Sequence, residues 1–147
     1  MSGRRQEAAL GVALVVLVAA TFAPALGGGF VHDDHRQIAS NPLLQDLRRS
    51  PALWTTGVWA GAGSGSSWYR PVMMGSFALD RALFGLSPFA MHAVSLALHA
   101  ALVSGVYAAL RAGGASRGVA LGGAALGGVH AVQAEPVGWI SARCEIL

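Results

Sequence analysis

Two carboxylates and two imidazoles stand side by side in the string His32-Asp33-Asp34-His35. Adjacent carboxylates repel each other, and one of such a pair can serve as a general base, so we take Asp33 and Asp34 as candidate catalytic residues. Two other interpretations stay open. One is a helix N-cap or solvated turn after the preceding glycines, and the other is a divalent-metal site at these four residues, although sequence neighbours rarely bind one ion together.

A second candidate group is the string Trp68-Tyr69-Arg70-Pro71. A guanidinium beside an aromatic pair can bind a lipid phosphate or pyrophosphate through two hydrogen bonds. We therefore predict that Tyr69 and Arg70 contact the phosphate of a substrate. The alternative is an arginine that only extends its charge to the membrane surface.

The second half of the chain contributes four further candidates for substrate contacts: His92, His130, Glu135 and Arg143. His92 lies seven residues before His99, so both histidines share one helix face, where His99 is expected to bond a neighbouring helix. Glu135 follows the last apolar run and could meet the acids of the first loop. The alternative is an external helix start at which Arg143 and Glu145 are solvated.

The composition indicates that these residues lie in a membrane protein. Hydrophobic residues form 54% of the 147 positions and charged residues 12%, which is more apolar than a soluble domain. The ten basic residues are all arginines scattered in ones and twos, and the net charge is +3, so nucleic acid is not an expected partner. The expected surroundings are membrane lipid.

The apolar runs and the arginines beside them predict an all-α membrane protein with about three spans and a long external first loop. Within that loop, 42–54 and 71–84 are expected to form short amphipathic helices. The predicted order is a cytoplasmic N-terminus at 1–7, spans at 8–26, 88–110 and 118–131, an external loop at 27–87, a cytoplasmic connector at 111–117 and an external segment at 132–147.

Three further expectations concern processing and setting. Ala23-Pro24-Ala25 resembles a signal-peptide cleavage site, but the preceding run is longer than such peptides use. The chain stops without a polar tail, so we expect it to be part of a longer protein. The absence of lysine and the Ala/Gly/Arg bias suggest a bacterial inner membrane protein whose active side faces the periplasm.

The order of these motifs resembles the GT-C superfamily of glycosyltransferases. The strings FVHDDHRQIASNP, WYRPV, LFGLSPFAMHAVSLALH and VHAVQAEPVGWISARCEIL are similar to the N-terminal part of the transmembrane and TPR-containing protein O-mannosyltransferase family. Each string is weakly specific alone, but together they cover most of the chain after residue 29. The sequence departs from the family pattern at Ser95, Ala131, Gln133 and Ala134.

The resemblance implies a partial GT-C fold and inverting transfer of a sugar, mannose or a similar hexose, from a polyprenyl-phosphate donor to a hydroxyl of a protein or glycan. It places the catalytic aspartate at Asp33 or Asp34, with Asp33 slightly preferred, and we assign the leaving phosphate to Arg70. We assign no cofactor from the sequence, and a divalent cation such as Mg²⁺ or Mn²⁺ stays an option. The alternative function is a non-enzymatic membrane scaffold or a small transporter-like subunit.

Overall fold

The computed structural model describes residues 2–63 and 68–147. Met1 and part of the Gly/Ser-rich stretch of the predicted external loop, residues 64–67, lie outside this description. All regular structure within the described ranges is helical, as predicted. The α-helices are α1 Ser2–Phe22, α2 Pro71–Phe84, α3 Pro88–Ala112, α4 Arg117–Val129 and the short α5 Ala134–Gly138.

Prolines and side-chain caps define where these helices begin and end. Pro71 and Pro88 occupy first-turn positions, where the missing N–H is not needed. Ser87 and Ser116 cap α3 and α4 by accepting bonds from backbone N–H groups. Pro24 lies in the 3-10 turn Ala23–Gly27 that follows α1. The α2 bounds match the predicted amphipathic helix, and α3 extends the predicted second span by two residues.

Two helical stretches, Arg5–Gly27 and Pro88–Ala112, are long and apolar enough to cross a membrane. Both expose large apolar side chains, including Val12, Val16 and Leu102, which would face water unfavourably. These features indicate a membrane protein. The third predicted span coincides with α4, whose 13 residues extend only about 20 Å. A third crossing therefore stays a prediction.

Helices α1, α3 and α4 pack together around a core that includes Leu14, Val18, Val103 and Ala124. At Gly128 a Cβ would lie 2.8 Å from Val103, so the close approach of α4 to α3 requires glycine there. Such close backbone approach is typical of packed membrane helices. Close packing of helices therefore accounts for Gly128, but not for the glycines of the apolar runs that have no helix so near.

One end of the three-helix bundle carries a charged cluster. Glu7 accepts hydrogen bonds from Arg111 at 3.0 Å and Arg117 at 2.7 Å, and from the Tyr107 hydroxyl. The start of α1, the end of α3 and the start of α4 thus lie together. The placement of the N-terminus and the 111–117 connector on the cytoplasmic side of the membrane stays a prediction.

At the opposite end, the predicted external loop folds into a compact cap. A π-helical turn at His35–Ala39 and 3-10 helices at Pro42–Leu44, Leu47–Trp54 and Ala60–Ala62 precede α2. The predicted helix at 42–54 is therefore two short 3-10 pieces, separated at Asp46, which caps the second one. After α4, a 3-10 turn at Ala131–Gln133, then α5 and the 3-10 helix Ile140–Glu145, complete the cap. Its own core includes Ile38, Leu53, Phe77, Met91 and Ile140.

Candidate active site

The two adjacent aspartates point in different directions. Asp34 is fully buried, whereas Asp33 is half-buried and lines a cavity in the cap. Both aspartates lie in a turn that is closed by a hydrogen bond from the Asp34 N–H to the Val31 carbonyl at 2.9 Å. Within it, His32 has a φ of 44°, a left-handed conformation that is uncommon outside glycine and is enriched at functional sites. The sequence pair thus supplies one inward and one cavity-facing carboxylate.

Asp34 joins the first loop to the C-terminal segment. Its carboxylate accepts a bond from the Val31 N–H at 3.0 Å, one from the Ser141 N–H at 2.8 Å and another from the Ser141 hydroxyl. A carboxylate held by several donors inside a protein fixes the segments that supply them. Asp34 is therefore placed to position the cavity wall rather than to contact a ligand.

The cavity next to Asp33 measures about 630 Å³, which is within the range of small-molecule sites. Three elements converge on it, and each brings a predicted site residue: Asp33 from the first loop, Arg70 from the start of α2 and Glu135 from α5. Asp33 and Glu135 thus line the same cavity, and a direct contact between them stays a prediction. Further lining residues are Gln37, Trp59, Trp68, Gln133, Trp139, Ser141, Cys144 and Glu145.

Arg70 is half-buried at the cavity and is held on two sides. Its Nη1 donates to the Cys144 sulfur, and its guanidinium carbon lies 5.0 Å from the centre of the Trp68 ring. A cation over an aromatic face keeps its charge while its orientation is fixed. Burial raises the pKa of the Cys144 thiol, so the sulfur stays protonated at neutral pH and does not neutralise Arg70.

Arg143 lies beneath the cavity wall and does not line it. This side chain is fully buried and donates to Asp80 at 2.6 Å, the Ser76 and Ser95 hydroxyls at 3.0 Å and the Met91 carbonyl at 2.8 Å. Burial raises the pKa of Asp80 and lowers that of Arg143, and the attraction within the pair opposes both shifts. The structure thus gives Arg143 internal partners in place of the predicted substrate contact.

The three other predicted contacts also lie outside the cavity lining. Tyr69 is exposed and donates its hydroxyl to the Trp54 carbonyl. His130 is exposed and accepts the Val132 N–H at 3.2 Å, so it caps the turn that follows α4. His92 is buried, and neither of its ring nitrogens has a hydrogen-bond partner among the described residues. His99, by contrast, bonds the Gly128 carbonyl at 2.8 Å, which confirms its predicted structural role.

The four residues considered for a metal site do not converge. His32 packs edge-on against Trp139, and His35 packs edge-on against Phe30. Asp34 already accepts hydrogen bonds from backbone N–H groups and a hydroxyl. Across residues 2–63 and 68–147, no group of three or more His, Cys, Asp or Glu side chains is arranged to hold a metal ion. This donor set does not fit a divalent cation, and we assign no step to one.

Sequence reasoning missed Gln37, Trp139 and Ser141. Gln37 follows Asp33 by four residues, a spacing that places both on one face of a helical turn, so this signal was available. Trp139 and Ser141 approach Asp33 and Asp34 from more than 100 positions away. Their proximity depends on how the C-terminal segment packs.

Comparison with known proteins identifies relatives of the chain. It is 37% identical over 131 residues to Protein O-mannosyl-transferase TMTC1 of Homo sapiens, and 31% identical over 125 residues to Protein O-mannosyl-transferase Tmtc1 of Drosophila melanogaster. These alignments cover 83% and 82% of this chain, which spans 14% of the length of each relative. No protein-family profile and no solved structure matches the chain. The matches support a relationship between this chain and the TMTC-type protein O-mannosyl-transferases.

Proposed function

We propose that this chain forms part of a membrane glycosyltransferase of the GT-C type, which transfers a hexose such as mannose from a polyprenyl-phosphate donor to a protein hydroxyl. The observation that carries the proposal is the cavity in which Asp33, Arg70 and Glu135 meet, at one end of a bundle of apolar helices. The relatives' names support a sugar donor and a protein acceptor. The relatives are also about six times as long as this chain, so further helices would complete the donor groove.

In this proposal, Asp33 is the general base. Its carboxylate takes the proton of the acceptor hydroxyl while the hydroxyl oxygen forms a bond to the anomeric carbon of the sugar. The bond between that carbon and the phosphate oxygen breaks, and its electron pair leaves with the polyprenyl phosphate on the opposite face. Such a displacement inverts the anomeric configuration. Asp33 suits this role because it is the member of the acidic pair that lines the cavity.

Arg70 is the group that offsets the negative charge of the leaving phosphate. A guanidinium can donate two parallel hydrogen bonds to phosphate oxygens, and the stacking on Trp68 holds it in place before substrate arrives. Glu135 is placed to contact a hydroxyl of either substrate. The apolar helices would bring the polyprenyl chain to the cavity from within the bilayer.

The proposed setting is a multi-pass protein whose cap, including the cavity, lies on the non-cytoplasmic side. The Glu7–Arg111–Arg117 cluster at the other end supports this orientation, because arginines next to spans favour the cytoplasm. In a bacterial cell the cap would then face the periplasm.

Transfer of radiolabelled hexose tests the proposal, using membranes that contain the product of the complete reading frame around these residues. Asp33→Asn should reduce transfer by at least about a hundredfold, the usual contribution of a general base, at normal protein abundance. Asp46→Asn is the matched control, because Asp46 is exposed, lies outside the cavity lining and caps a helix that asparagine caps equally well.

Two other results would contradict parts of this proposal. Normal transfer by Asp33→Asn would remove Asp33 as the base. No transfer by the wild type with any polyprenyl-phosphate hexose would favour the non-enzymatic scaffold or transporter-like subunit.

A further inference from the structure

Gln37 is tied to the proposed base through the backbone. Its N–H donates to the Asp33 carbonyl at 2.7 Å, and its own carbonyl accepts from the Asn41 side-chain amide at 3.0 Å. It lies in the π-helical turn His35–Ala39, a rare geometry that occurs frequently at functional sites. These bonds hold the backbone of Gln37 in a fixed position relative to the backbone of Asp33.

The Gln37 side chain has an unmet hydrogen-bonding capacity at the cavity. It is only 6% exposed and lines the cavity, yet its side-chain oxygen has no hydrogen-bond partner among the described residues. A buried acceptor without a donor lowers stability, so such groups usually have a partner in the functional state. Because the last torsion of glutamine is broad, a half-turn exchanges the amide oxygen and nitrogen, so either end of the amide can face the cavity.

The amide oxygen of Gln37 accepts hydrogen bonds and the amide nitrogen donates them. A sugar hydroxyl can do both, so it can pair with whichever end of the amide faces the cavity. Trp59 and Trp139 supply aromatic walls to the same cavity, against which the C–H faces of a sugar ring can pack. A ring that carries several hydroxyls fits both features.

We propose that Gln37 is a specificity-determining residue whose side-chain amide hydrogen-bonds one hydroxyl of the donor hexose, held between Trp59 and Trp139. The inference rests on the proposed function, since it places the donor sugar in the cavity beside Asp33. Arg70 then binds the phosphate, and Gln37 recognises the sugar.

The test compares kcat/KM for the complete protein with the parent polyprenyl-phosphate hexose and with its monodeoxy analogues. The wild type should discriminate at least about tenfold against one analogue, because a site built to bond a hydroxyl rejects a substrate that lacks it. Gln37→Met, which keeps the volume but removes the hydrogen-bonding amide, should reduce that discrimination to less than about threefold. Gln45→Met, at an exposed glutamine outside the cavity lining, should leave it unchanged.

A purely structural role would lower the rates with all donors equally and preserve their ratio, which would overturn the inference and leave the transferase proposal intact. Gln37→Ala provides a smaller replacement with the same expected loss of discrimination if Gln37→Met does not accumulate. Uniform tolerance of all monodeoxy donors by the wild type would also overturn the inference. Failure of the wild type to transfer any hexose would overturn both proposals.

Discussion

Removal of Arg143 should destabilise the cap more than any surface change, because it leaves Asp80 buried without its partner. Both side chains are almost fully enclosed, and their bond is 2.6 Å long. Breaking a buried ion pair from one side typically costs about 3–5 kcal/mol. We expect Arg143→Met to lower the free energy of unfolding by about 3 kcal/mol, the lower end of this range. The loss is limited because burial already raises the pKa of Asp80, so its carboxylate can take up a proton when Arg143 is absent.

The assay is unfolding of the purified protein in mixed micelles by a denaturing detergent, followed by tryptophan fluorescence. Arg49→Met, at an exposed arginine, is the control and should change stability by less than about 0.5 kcal/mol. The double variant Arg143→Met with Asp80→Leu removes both charges and should recover at least about 1 kcal/mol relative to Arg143→Met alone. A stable Arg143→Met protein, or purely additive losses in the double variant, would refute the reasoning.

Two further predictions concern the cap and the cavity. Gly61→Ala should destabilise the protein by about 1–3 kcal/mol in the same unfolding assay, because the new Cβ would lie 1.7 Å from the Asn41 side-chain oxygen. Gly75→Ala, inside α2, meets nothing closer than 3.9 Å and should raise stability by about 0.5–1 kcal/mol, the usual gain when alanine replaces glycine in a helix. Equal effects of the two changes would contradict this packing. Cys144 should react slowly with maleimide at pH 7, because burial raises the pKa of its thiol and the thiolate is the reactive form. A saturating concentration of the sugar donor should slow this reaction further. Rapid labelling that the donor leaves unchanged would place Cys144 outside the site.

Much of the helical framework could be predicted because its signals are local. Proline lies in the first turn of both α2 and α3, and Ser87 also caps α3. The bounds of both helices agree with the predicted ones to within two residues. The 42–54 segment was harder, since Asn41 and Asp46 each begin a separate 3-10 helix, and neither break shows in the apolar pattern. Helix α4 is shorter than a membrane span requires, although its composition resembles one.

The site was only partly predictable because it depends on contacts between distant segments. The charged side chains of Asp33, Arg70 and Glu135 could be recognised as candidates from their residue types alone, and all three line one cavity. Arg143 carries the same charge as Arg70, but the packing of the C-terminal segment against α2 and α3 buries it beside Asp80. Residue type alone does not distinguish a cavity-lining cation from one enclosed in the core.

Photo-crosslinking of the donor tests the central claim most directly, namely that the sugar of a polyprenyl-phosphate donor occupies the cavity beside Asp33. A donor analogue with a diazirine on the sugar would be irradiated with the complete protein in membranes and the adducts located by mass spectrometry. The account predicts adducts on peptides that contain Trp59, Arg70 or Trp139, and competition by unmodified donor. Specific adducts found only outside the cavity lining would contradict it.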